Sequence, residues 1–164
     1  MSADPQVTAA MDAAGVDYET MDIDPSLADT AEFCEAYGIP LEQSANAILV
    51  ASRKPEGHNA VCLVLATTRL DVNGVVRKKL GVRKVSFAPP ELTLDLTGQE
   101  IGGVTAFGLP DGLPIWVDPR VLEPDWVIIG AGSRSAKIKL DPSQLVGLKD
   151  FEIVDDLATA PEDT

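Results

Sequence analysis

Two apolar runs constrain this chain more than any other stretch: Asn46-Ala47-Ile48-Leu49-Val50-Ala51 and Ala60-Val61-Cys62-Leu63-Val64-Leu65-Ala66. Short continuous runs of this kind, bounded by turn residues, are the pattern of strands buried on both faces. The polar segment between them, Ser52 to Asn59 with Pro55 and Gly57, reads as a hairpin loop. Before the hairpin, Pro5 to Ala14 reads as a helix stopped at Gly15, and Val16 to Ile23 as a short strand. Asp29-Thr30-Ala31-Glu32 resembles a capping box ahead of a second helix, which Gly38 and Pro40 end. After the hairpin, Asp71 caps an amphipathic helix running to Gly81. Strands follow at Lys84 to Ala88, Leu113 to Val117, Trp126 to Ile129 and Phe151 to Val154, with a helix opening at Pro89-Pro90-Glu91. Ala136-Lys137-Ile138-Lys139-Leu140 alternates, and Asp141-Pro142-Ser143-Gln144 is a helix start. Many short strands with a few helices among them predict an α/β domain with a mixed sheet. A single domain is expected over residues 1–157, followed by an acidic flexible tail over 158–164.

Charge narrows the partners. The net charge of −13 argues against broad, non-specific nucleic-acid binding, because phosphate neutralisation supplies most of that affinity. The distribution is uneven: residues 1–50 hold ten acids and no Lys or Arg, whereas residues 53–84 hold eight bases against two acids. A basic middle permits one confined phosphate-binding face, and it is equally the solvated surface of a helix. No apolar stretch approaches the length of a membrane helix, and the start has neither a basic n-region nor an apolar h-region. A cytoplasmic protein is expected. Cys34 and Cys62 read as reduced core thiols, and the single His58 as a solvated loop residue without the cluster a zinc site needs.

The stretch with chemical content is Thr97 to Pro110, TGQEIGGVTAFGLP. Paired glycines let a backbone take positive φ and approach another group closely. Successive N–H groups in such a loop can hold an anion, or an oxyanion developing on an ester. They also suit a plain tight connection between strands.

Gly102-Gly103-Val104-Thr105-Ala106-Phe107-Gly108 resembles the glycine loop of the YbaK-like aminoacyl-tRNA deacylases, typically GGxSPxG. That family includes the editing domain inserted in many bacterial prolyl-tRNA synthetases. The likeness in element order runs from about Leu27 to Leu148. It implies a mixed, partly closed, barrel-like sheet flanked by helices. It also implies hydrolysis of the ester joining an amino acid to the 3′-terminal adenosine of a mischarged tRNA, with no metal, redox cofactor or covalent nucleophile. The implied partners are the tRNA acceptor end and, transiently, an aminoacyl-tRNA synthetase; a monomer is expected.

On that resemblance Gly102, Gly103, Val104 and Thr105 line the ester. Asn46, Ala106, Phe107, Arg134 and Lys137 contact the substrate, Asn46 orienting the terminal ribose. The chain departs from the pattern at three of these. Asn46 stands where the family places a lysine (KTLv), with Ala47 at the threonine position. Ala106 replaces the loop proline, and Lys137 replaces an acid in a GxDIEL-like pattern. Asn46 offers donors and an acceptor but no charge, which Lys137 or Arg134 could restore from another strand; Lys137 as a solvent-facing strand residue is the alternative. Three functions stay open: a trans-acting editing deacylase, a relative that binds tRNA ends or a synthetase without cleaving, and a small-ester hydrolase or small-molecule binder. The amino acid removed is not legible.

Overall fold

The two apolar runs are β2 (Ala45–Lys54) and β3 (Glu56–Leu65), paired antiparallel from Ala45↔Leu65 to Arg53↔Glu56. The computed structural model describes residues 3–160. Every residue of β3 from Ala60 to Leu65 is buried, as its unbroken apolar character requires. The hairpin is tighter than its sequence suggests. Ser52 to Asn59 is no loop: Pro55 alone separates the strands, and His58 is an exposed residue of β3. The ladder is irregular between Ala51 and Arg53, and there the Ser52 hydroxyl accepts from the His58 amide at 2.9 Å. A polar side chain holds that rung. Hydrophobic periodicity misses it, because the strand ends project past the core into water.

β5 (Lys84–Phe87) lies on the outer edge of β2. Beyond β3 come β6 (Ile115–Val117) and β9 (Phe151–Ile153), each parallel to its inner neighbour. A second sheet is antiparallel, with β8 (Ala136–Leu140) between β1 (Tyr18–Asp22) and β7 (Val127–Gly130). The two sheets meet at a parallel bridge between Ser44 and Ile128. The architecture is therefore mixed α/β and partly closed, not a complete barrel. The opening is well defined. The last rung of β5 on β2 is the Ala88 amide donating to the Leu49 carbonyl at 2.9 Å, so Ala45 to Ile48 have β3 on one edge and, among the described residues, no strand on the other.

Among the described residues, three clusters fill the interior. The largest lies between the two sheets and takes Val7 and Met11 from α1 (Pro5–Ala13). Another sits between the large sheet and a π-helical turn, Val72–Val76, that runs into α3 (Arg77–Leu80). The third packs Phe33 and Cys34 of α2 (Thr30–Tyr37) onto Ile128. Fully burying one such side chain contributes roughly 1.5–3 kcal/mol. Asp71 caps the π turn through the amides of Gly74 and Val75, and Gly38 and Gly81 end α2 and α3 in the left-handed region. Asp141 starts only a 3-10 turn, Pro142–Leu145. α4 (Pro90–Thr97) follows β5 and leads into the glycine loop.

The expected tail begins too early. Ala158–Thr159 is a strand, β10, paired with β4 (Arg69–Leu70). The buried Asp118 carboxylate accepts from the Ala158 amide at 2.7 Å and fixes it there. Residues 161–164 of that segment lie outside the described residues.

Candidate active site

The gap between β5 and β7 holds a cavity of about 460 Å³, within the range of small-molecule sites. One wall runs from Ser44 to Leu49, with the β2 edge open from Ala45 to Ile48, where strand alternation turns the Ala47 peptide groups toward the opening. The facing walls come from Ile101, Gly102 and Val104 of the glycine loop, from β7, and from the N-terminus of α2. The mouth runs past Phe87 and Pro90.

The glycines are there because two loops touch. The Gly132 amide donates to the Gly103 carbonyl at 2.7 Å, and the Glu100 amide to the Gly132 carbonyl at 3.0 Å. A Cβ on Gly103 would stand 2.2 Å from the Ser133 carbonyl oxygen, and one on Gly130 would stand 2.5 Å from that of Val104. Both obstacles are backbone, which cannot swing aside. Gly103→Ala is therefore expected to cost about 1–3 kcal/mol by overpacking, read as a lowered urea midpoint. An unchanged midpoint would mean that the loops separate freely.

Local pairing sorts the loop's amides. The Gly103 amide is spent on the Glu100 carbonyl at 2.9 Å. Among the described residues the amides of Gly102 and Val104 make no hydrogen bond, and both residues line the cavity. Thr105, Ala106 and Phe107 turn the other way. Thr105 is fully buried with its hydroxyl unpaired among the described residues, and Ala106 and Phe107 pack in the main core, Phe107 against Phe151. The turn is held by Gln99, a residue that sequence reasoning missed. Its side chain, 1% exposed, accepts from the Thr105 amide at 2.9 Å and donates to the Phe107 carbonyl at 2.8 Å. Its place inside TGQEIGG was the available signal, since a polar loop turned inward needs a polar side chain to satisfy it.

Asn46 and Lys137 enter the same cavity from β2 and β8. Asn46 Oδ1 accepts from the Thr30 hydroxyl at 2.8 Å, which leaves the amide nitrogen as the donor toward the opening. Lys137 is not solvent-facing. It is 8% exposed, and its Nζ lies 5.3 Å from the centre of the Phe33 ring. Burial pushes its pKa below the ordinary lysine value; Cys34 and Asp29 oppose the shift, and Arg134 adds to it. No carboxylate forms a salt bridge with Lys137 among the described residues. Burial also raises the Cys34 thiol pKa, against a hydrogen bond with Ser44 and the charge of Lys137. Arg134 stands at the rim as a clamp. Its guanidinium donates to the carbonyls of Ile101 and Pro25 and meets the Asp29 carboxylate at 3.4 Å. That contact explains why Asp29 heads α2 without a side-chain cap bond, in place of the expected capping box.

A buried cation, a carboxamide and unpaired amides thus converge on one opening, a set suited to a carbonyl compound acquiring negative charge. Comparison with known proteins concerns the chain as a whole. A family model described as an aminoacyl-tRNA editing domain matches residues 24–148. The uncharacterized protein YwhH of Bacillus subtilis (strain 168) is 28% identical over 127 residues, 77% of this chain and 78% of the relative. The crystal structure of hypothetical protein APE2540 superposes with a TM-score of 0.82 at 22% identity, over 93% of this chain and 99% of that one. A structure described as a putative trans-editing enzyme for prolyl tRNA synthetase gives 0.79 at 25% identity, over 94% and 98%.

Proposed function

Because the chain belongs to the aminoacyl-tRNA editing domain family, we propose that it is a trans-acting deacylase that hydrolyses the ester of a mischarged aminoacyl-tRNA. The observation that carries this reading is the meeting of Gly102, Val104, Asn46 and Lys137 at one cavity. In the reaction a water oxygen attacks the ester carbonyl carbon, whose oxygen becomes an oxyanion. The free amides of Gly102 and Val104 receive that oxygen, and the Lys137 ammonium faces it across a poorly solvated space where charge acts strongly. The bond from the carbonyl carbon to the ribose oxygen then breaks. The ribose oxygen leaves with one of the water's protons, the other is released to solvent, and the amino acid departs as a carboxylate. Asn46, braced by Thr30, donates to the ribose. Gly103 and Gln99 act by positioning the loop.

The departure at Asn46 favours a second reading, in which the chain binds tRNA ends or a synthetase without cleaving the ester, whereas Ala106 lies in the core away from the cavity. Both readings place the protein in the cytoplasm, as a monomer that meets a synthetase at most transiently. No helix among the described residues is long and apolar enough to cross a membrane. A panel of tRNAs charged with non-cognate amino acids, scored for ester loss, separates the two. The deacylase reading expects rapid loss from at least one mischarged tRNA and slow loss from its correctly charged counterpart. Binding with no ester loss across the panel would overturn it in favour of the second reading.

A further inference from the structure

A second opening of about 460 Å³ lies further along β8, and none of its residues lines the ester cavity. Strand alternation puts Glu19, Lys139 and Ile128 on one face of the antiparallel sheet, with Asp17, Asp141 and Trp126 the next set along. α2 packs over Ile128, and beyond it the face opens as this groove. Separate segments bring carboxylates to it: Asp17 and Glu19 at the start of β1, Asp125 before β7 and Asp141 after β8. All four residues are exposed, and none forms a salt bridge among the described residues. Lys139, the one cation in the lining among the described residues, lies instead on the Trp126 ring, 4.5 Å from its centre.

The groove runs beside an open edge, because β1 is the outer strand of its sheet. The Ile23 amide donates to the Ser135 carbonyl at 2.9 Å, continuing the register of β1 on β8. Antiparallel bonding alternates, so Glu19 and Met21 bond to β8 while the peptide groups of Thr20 and Asp22 point outward. Both of these residues are exposed, and neither backbone makes a hydrogen bond beyond the ladder among the described residues. The start of the strand is fixed. The Gln144 side chain accepts from the Asp17 amide at 2.8 Å and donates to the Asp17 carbonyl at 2.9 Å.

We propose that the open edge of β1 docks an extended basic segment of a partner protein. The segment adds as a strand along Thr20 and Asp22, and its alternate side chains, arginine or lysine, lie in the groove. Residues directly opposite each other on paired strands share a face, so basic residues two apart meet Asp17 and Glu19 together. Strand addition takes its affinity from main-chain bonds and its selectivity from alternate side chains. The Trp126 ring already carries one cation, and its face serves an incoming guanidinium once Lys139 swings out. Charge decides the occupant: Asp17, Glu19 and Asp22 line the edge, so an acidic strand is repelled and the β1 edges of two copies are kept apart. This surface is independent of the ester chemistry.

The probe is a blocked peptide of alternating arginine and valine, Arg-Val-Arg-Val-Arg, titrated into the full chain and followed by amide NMR. Shifts are expected at Thr20, Asp22 and the Trp126 indole. A peptide of the same composition in blocks, Arg-Arg-Arg-Val-Val, should bind several-fold more weakly. So should the alternating peptide with both valines N-methylated, which lacks the donors for the edge. Asp17→Asn with Glu19→Gln is expected to weaken binding about 2–30-fold, the range for two exposed ion pairs. Glu32→Gln with Glu35→Gln, at exposed positions of α2, removes the same charge elsewhere and should leave affinity unchanged. Melting curves confirm that each variant is folded. Equal affinity for the three peptides, or equal weakening by both charge pairs, means general attraction to an acidic surface and overturns the docked strand. Absence of binding overturns it too. Self-association of the free protein in sedimentation, relieved by Glu19→Gln, would give the edge to the basic β5 of a second copy and reject a separate partner.

Discussion

Lys137→Met is expected to lower ester hydrolysis by about 10²–10³-fold, the range for removing one stabiliser of an oxyanion, while raising stability at neutral pH. The two effects share one cause. Lys137 is buried under α2 with no paired carboxylate among the described residues, so its charge is costly to the fold and effective at the site. Methionine keeps the apolar stem and a favourable contact with the Phe33 ring. The sign with pH follows from the lowered pKa. Below that pKa both folded and unfolded chains carry the proton, and the burial penalty is felt in full. As pH rises from there toward the ordinary value of 10.5, the folded amine is neutral while the unfolded chain still binds a proton, so wild-type stability recovers. The stability advantage of Lys137→Met is therefore largest at neutral pH and shrinks on the alkaline side. The rate ratio of wild type to variant should fall over the same interval, below the usual lysine range. Thermal melts and single-turnover deacylation across pH check both. A variant with wild-type rate, or one less stable at pH 7, would mean that the Lys137 charge neither stabilises the oxyanion nor burdens the fold.

The second large effect is expected for Gln99→Leu, at about 2–6 kcal/mol of stability. Leucine matches the bulk but leaves the Thr105 amide and the Phe107 carbonyl buried and unpaired, each costing about 1–3 kcal/mol. The same change frees the turn that sets Gly102 and Val104 at the cavity, so kcat should fall in assays run well below the melting temperature. Gln99→Glu separates the contributions. It retains an acceptor for Thr105, loses the donor to Phe107 and buries a charge, so it too should be destabilised, with a deficit that eases at acid pH as the carboxyl takes a proton. Urea titration is the measurement. A Gln99→Leu midpoint equal to that of wild type would show that the two backbone groups find other partners.

What the amino-acid order determined by itself was local. The burial of β3, the stops at Gly38 and Gly81 and the cap at Asp71 each depend on residues within a turn of one another, and were readable for that reason. The glycine loop was legible as a place of close approach, and family likeness supplied the partly closed sheet. Tertiary structure decided which loop residues face the cavity, because that depends on the contact of Gly103 with Ser133, thirty positions away, and on Gln99 turning inward. It also decided Lys137. The alternation Ala136 to Leu140 suggests one wet face, but β8 lies between two strands with the core on one side and α2 over the other. Burial of a charge is set by what packs above it, and the element that covers this one lies a hundred residues earlier in the chain.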